Sequence, residues 1–117
     1  MRETVHEVGI TQSILEIAVD NAHQAGAKKI TSLTIEIGGL SGVVADAVEF
    51  CFEAVSRGTM AEGATLNIIR IPGKGRCLDC GNETELDNYT FSCAHCESYQ
   101  LERIQGEELR LTEVEID

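Results

Sequence analysis

Four of the five cysteines fall into two C-x2-C pairs, Cys77-Leu78-Asp79-Cys80 and Cys93-Ala94-His95-Cys96, with twelve residues between them. A C-x2-C pair brings two thiolates within reach of one ion. Two pairs complete a tetrahedral shell, with Zn–S bonds of about 2.3 Å. Four thiolates leave no open coordination position, so Cys77, Cys80, Cys93 and Cys96 read as a structural zinc site. Iron in a rubredoxin-like centre would use the same shell. A dithiol redox pair fits less well, because two pairs in one short segment suit one shared ion better than two independent redox centres. Gly81 follows the first pair, where a knuckle turn calls for positive φ. Glu97 holds the matching place in the second pair and predicts a less regular turn. Cys51, within the apolar run Val48-Glu49-Phe50-Cys51-Phe52, reads as a small buried hydrophobe.

The other candidates for transition-metal chemistry are three histidines: His6, His23 and His95. His6 is followed by Glu7, and both precede the first apolar residue of a helical pattern. Alone, the pair is unremarkable: glutamate at a helix start complements the dipole, and the imidazole is solvated. His23 reads as surface. His95, inside the second C-x2-C loop, either faces solvent or reaches back toward an N-terminal metal site.

Composition bounds the rest. The chain has 117 residues, 43% of them hydrophobic and 25% charged, which suits one soluble domain or a small domain carrying a smaller module. Nine Lys+Arg against twenty Asp+Glu give a net charge of −11, a balance that repels phosphate backbones and anionic membranes. Aromatic residues are 4%, too few for a base-stacking platform. No run approaches the roughly 18 apolar residues of a membrane helix. The first ten residues carry no apolar signal core, so a cytoplasmic chain is expected, and disulfides are a poor first reading there.

The elements that position these residues follow from periodicity. Ile10, Ile14, Ile17, Ala18, Ala22 and Ala25 predict a helix over 10–25, opened by Gly9 or Thr11 and stopped by Gly26. Residues 30–37 alternate, with Leu33, Ile35 and Ile37 on one face, and predict a half-buried strand. The turn Gly38-Gly39-Leu40-Ser41-Gly42 breaks it; with no Lys-Ser/Thr ending, it is not a phosphate loop. Val44, Val48, Cys51 and Val55 mark a second helix ending near Gly58. Residues 64–71 predict a second strand whose alternation slips at Ile68-Ile69, through a bulge or burial on both faces. Pro72-Gly73-Lys74-Gly75 reads as a hinge. Leu109, Leu111, Val114 and Ile116 predict a last strand with a change of phase between 111 and 114. The expected fold is α+β: two helices packed on one face of a small three-stranded sheet, with an inserted four-cysteine zinc-ribbon-like module. The expected division is an α+β domain of residues 1–73 and 106–117 and a zinc module of residues 74–105, tethered by hinges near residues 73 and 105.

The order of these features is itself informative. His6-Glu7, an amphipathic helix, the stretch Glu36-Ile37-Gly38-Gly39-Leu40-Ser41-Gly42-Val43, a second helix, the two cysteine pairs and a terminal strand follow one another. The sequence from His6 to Asp117 resembles the HypA/HybF family of hydrogenase nickel-incorporation proteins. The resemblance implies a nickel metallochaperone, not an enzyme. It would take Ni(II) at His6 and Glu7, together with nearby N-terminal nitrogens, and hold Zn(II) at the four cysteines. The implied partners are a HypB-family GTPase and the precursor of the [NiFe]-hydrogenase large subunit. The hinges are compatible with a homodimer or a domain-swapped dimer. A histidine ligand binds in its neutral form, so nickel affinity is expected to fall as the pH drops through about 6.5.

The resemblance breaks at one place. The family begins Met-His-Glu, whereas Met-Arg-Glu-Thr-Val precedes His6 here. Ni(II) favours a square-planar nitrogen set. A histidine at the second position offers imidazole, amide nitrogen and terminal amine in adjoining chelate rings, and four additional residues take the amine out of them. Val5 stands where the family has its initiator, and a valine codon of the GUG type can initiate as Met. The expected native start is therefore Val5. Apart from the metallochaperone, the residues also suit a zinc-ribbon adaptor that binds only proteins.

Overall fold

A long helix, α1 (Arg2–Gln24), opens the fold. The computed structural model describes the backbone of residues 2–117 and the side chains from His6 onward. The helix begins well ahead of the expected 10–25, so His6 and Glu7 lie inside it and Gly9 does not open it. The buried face also differs. It is formed by Glu7, Thr11, Leu15, Ala18 and Ala22, while Ile17 is 54% exposed. Two of the buried positions are polar, which is why apolar spacing located neither the start of the helix nor its inner face. Gly26 ends the helix as expected: at φ +73 it lets its own N–H reach the His23 carbonyl and the Ala27 N–H reach the Ala22 carbonyl.

Strand β1 (Ile30–Gly38) buries Leu33, Ile35 and Ile37, as its alternation requires. Helix α2 (Ala45–Ser56) buries Ala45, Val48, Cys51, Phe52 and Ser56. Its position carries the chain to β2 (Thr65–Ile71), which pairs parallel with β1. The last strand, β6 (Leu109–Ile116), returns antiparallel on the other side of β1. The sheet order is β2-β1-β6. Two apolar clusters fill the space under the helices, one around Leu15, Ala18, Leu33 and Phe52, the other around Ile35, Ile37, Ala45 and Val48.

The two sequence irregularities resolve differently. On β6 the register against β1 shifts between Thr34 and Ile35, which pair with Glu113 and Leu111. This bulge at Thr112 brings both Leu111 and Val114 against the core, in agreement with the change of phase. On β2 the pairing with β1 runs without a shift, and Ile69 is 46% exposed. The Ile68-Ile69 slip is thus neither a bulge nor two-sided burial. Ile69 lies beside Glu36 on the open face of an edge strand.

The cysteine module has a sheet of its own, β4-β3-β5, built from β3 (Gly73–Cys77), β4 (Glu83–Leu86) and β5 (Leu101–Gln105). No apolar alternation announced β3, because its inward positions are Gly73, Gly75 and Cys77. Pro72-Gly73-Lys74-Gly75 is accordingly a strand entry, not a loose segment. Neither apolar cluster of the helical domain includes a module residue. The resulting two-lobed shape has a radius of gyration of 17.4 Å, against about 13.4 Å for one compact globule of this length.

Candidate metal centre

The four cysteines converge. The Sγ atoms of Cys77, Cys80, Cys93 and Cys96 all lie within 4.8 Å of one another. The Cys77–Cys96 separation is 3.5 Å and the Cys80–Cys93 separation 3.7 Å. A tetrahedron with Zn–S bonds of about 2.3 Å has S–S edges of about 3.8 Å, close to these two separations, so the donor set suits a zinc ion. Among the described residues this is the one group of three or more His, Cys, Asp or Glu side chains that could hold a metal ion.

Each cysteine pair sits on a knuckle with the same wiring. The Cys77 N–H reaches the Asn82 carbonyl at 2.9 Å, and the Cys93 N–H reaches that of Ser98 at 2.8 Å. Gly81 and Glu97 each donate an N–H to the carbonyl of the first cysteine of their pair, both at 2.9 Å. Gly81 has φ +77 and Glu97 φ 64. The second turn is therefore as regular as the first, contrary to expectation: the bond pattern imposes the left-handed conformation even on a glutamate, at a cost of about 1–2 kcal/mol. Asp79 and Ser98 are hydrogen-bonded across the two knuckles. The buried hydroxyl of Thr84 on β4 accepts the Ala94 N–H at 3.1 Å, tying the second knuckle to the sheet. Neither Asp79–Ser98 nor Thr84 was apparent from spacing, because nothing local pairs these residues.

The main chain also tunes the sulfurs. The Cys80 N–H points at the Cys77 sulfur at 3.4 Å, and the His95 N–H at the Cys93 sulfur at 3.3 Å. Backbone N–H donation, chiefly from Cys80, lowers the Cys77 thiol to about 6. Donation from the Cys96 and His95 amides lowers Cys93. Cys96 moves the other way, to about 12. The Ser98 N–H favours its thiolate, but hydrogen bonding with Cys77, burial, and the bonds with Cys80 and Cys93 together outweigh it. Such a cluster is arranged to share charge around a cation.

His95 contributes its main chain to this centre, and its side chain is exposed. His23 is exposed in the last turn of α1. Cys51 is buried in α2, away from the cluster.

The N-terminal candidates divide sharply. His6 is exposed, whereas Glu7 is 0% exposed. Glu7 Oε2 accepts the N–H of Val44 at 2.8 Å, and Oε1 has no hydrogen-bond partner. Val44 is the N-cap of α2, and its own side chain cannot cap. The free amine at Met1 and the side chains of residues 2–5, which the nickel expectation involves, lie outside the described residues.

The comparisons with known proteins agree with this architecture. Residues 5–116 match the protein-family model described as "Hydrogenase/urease nickel incorporation, metallochaperone, hypA". The hydrogenase maturation factor HypA of Geobacter metallireducens is 47% identical over 113 residues, covering 97% of this chain and 100% of that protein. That of Rippkaea orientalis is also 47% identical, covering 97% and 96%. Two solution structures share the fold. One, of a HypA protein, has a TM-score of 0.67 at 24% identity and covers 96% of each chain. The other, of the Ni metallochaperone HypA from Helicobacter pylori, has a TM-score of 0.63 at 22% identity and covers 94% of this chain and 96% of that one. With its family match running nearly end to end, the chain belongs to the HypA family.

Proposed function

We propose that the protein is a nickel metallochaperone, not an enzyme. It accepts Ni(II) at the His6–Glu7 segment and delivers it for maturation of the [NiFe]-hydrogenase large subunit. Cys77, Cys80, Cys93 and Cys96 hold Zn(II) permanently. The observation that carries this reading is the contrast between two donor sets. The four sulfurs lie close enough together to enclose one ion, which suits retention. The His6 imidazole is exposed on the first helix, suited to hand-off. Delivery requires a site that selects its ion and also lets it go, and few donors at an accessible position meet both needs.

The partners in this reading are a HypB-family GTPase and the hydrogenase large-subunit precursor, met in the cytoplasm. A homodimer, with or without exchange of the terminal strand or zinc module, is compatible with the two-lobed shape. The test is metal analysis of His6→Ala beside the wild type. Loss of the specific nickel site with zinc retained supports the reading. Unchanged nickel stoichiometry overturns it, and a wild type that binds no nickel beyond zinc displacement favours the protein-binding adaptor. A coloured protein as purified would replace zinc by thiolate-bound iron.

A further inference from the structure

Glu7 has a structural position that a ligand role does not explain. Its side chain is fully buried beside an exposed His6, and Oε2 is committed to the Val44 N–H. Its carbonyl is fixed as well, accepting the Thr11 hydroxyl at 2.6 Å. Burying a carboxylate is costly. Here the positive end of α2 and a charge-assisted hydrogen bond offset that cost. A carboxylate turned into the fold and engaged with a helix terminus is poorly placed to donate to an ion that must be exchanged at the surface. It is well placed to hold the neighbouring residue still.

We infer that Glu7 is a positioning residue for cargo nickel, an inference that rests on the nickel reading of His6. Its carboxylate clamps the beginning of α1 to the N-terminus of α2 through the Val44 N–H. This fixes the main chain that carries the His6 imidazole, so less freedom is lost when the donors close on the metal.

The clamp can be broken from either side. Val44 has φ −87, close to the angle of proline, so Val44→Pro removes the donor while leaving Glu7 in place. The Val44 carbonyl still accepts from Ala47 and Val48. Glu7→Gln keeps an acceptor for Val44 but removes the charge. Nickel titrations followed by absorption, with zinc content and circular dichroism as fold controls, are read on both variants. The expected result is that Glu7→Gln stays within about threefold of wild-type affinity with the same absorption band. Val44→Pro should lose about tenfold and shift the band, as for the loss of one charge-assisted hydrogen bond. Wild-type affinity and band in Val44→Pro overturn the inference. A loss in Glu7→Gln larger than that in Val44→Pro also overturns it, since the carboxylate would then be a direct donor. If Val44→Pro does not fold, Glu7→Ala replaces it: loss of nickel in Ala but not in Gln supports the clamp, and equal behaviour of the two overturns it. A His6→Ala control that binds nickel like the wild type overturns the nickel reading and the inference with it, whereas nickel loss in His6→Ala beside wild-type behaviour of Val44→Pro overturns the inference alone.

Discussion

The amide of Leu40 donates to the carbonyl oxygen of Gly106 at 2.7 Å, joining the turn after β1 to the chain that leaves the cysteine module. Leu40 is buried, and its side chain packs where a Cβ on Gly73 would stand. A Cβ on Gly38 would overlap the Gly106 carbonyl, and Gly106 itself has φ +112. The backbones at Gly38, Gly73 and Gly106 therefore meet closely, with the Leu40 side chain packed against Gly73 and Gly106. The junction of the two lobes is a packed contact. Gly38→Ala should destabilise the protein by about 3 kcal/mol, because the obstacle is main chain that cannot rotate away. Gly42→Ala serves as the reference, a glycine with open space around it although its φ is +79. Denaturant melts compare the two, and a Gly38→Ala variant as stable as Gly42→Ala contradicts the packing described.

With zinc at its four cysteines, the module should depend on the metal in a way the helical domain does not. Its buried apolar side chains are few, chiefly Leu86 beside Cys77 and Cys93, while both apolar clusters lie in the other lobe. Structural zinc commonly supplies about 10–16 kcal/mol to small sites of this kind. Stripping the ion with a strong chelator should abolish amide protection in β3 and β5 and preserve it in β1. Simultaneous loss in all three strands would show that the lobes fold as one unit.

Acid should release that zinc late. The Cys77 thiol is lowered to about 6 by backbone N–H donation. A depressed acid stabilises the folded form fully above the ordinary thiol range, and the contribution is lost as the pH falls through the depressed value. Protons compete with the ion for the thiolates, so zinc held by the cluster should stay bound at neutrality and appear in a chromogenic chelator only on acidification. Half-release near neutrality would contradict the role given to the knuckle amides.

The proposed nickel role of His6 predicts that the residues ahead of it weaken nickel binding. A version beginning Met-His-Glu restores the terminal amine to the chelate rings of His6 and should bind nickel at least about tenfold more tightly than the 117-residue chain. Parallel absorption titrations check this. Equal affinities would show that the amine is dispensable.

Much of this was legible in the residues, for identifiable reasons. The four cysteines that converge are close in sequence, so C-x2-C spacing located them directly. β1 buries alternating aliphatics, and in β6 the bulge at Thr112 left a change of phase. Two parts were hidden. The inner face of α1 starts with Glu7 and Thr11, whose burial depends on Val44 and on a bond within the helix, both invisible to a hydrophobicity pattern. The module sheet was hidden because β3 turns glycines inward, and glycine in a sequence suggests a turn before a close-packed strand.

The central claim is that cargo and architecture use different donors: nitrogen and oxygen near His6 for nickel, sulfur for zinc. X-ray absorption at the nickel edge of zinc-replete protein loaded with one equivalent of Ni(II) tests it most directly. The account predicts a nickel shell of nitrogen and oxygen, including an imidazole that disappears in His6→Ala. A nickel shell containing sulfur, unaffected by removing His6, would contradict it.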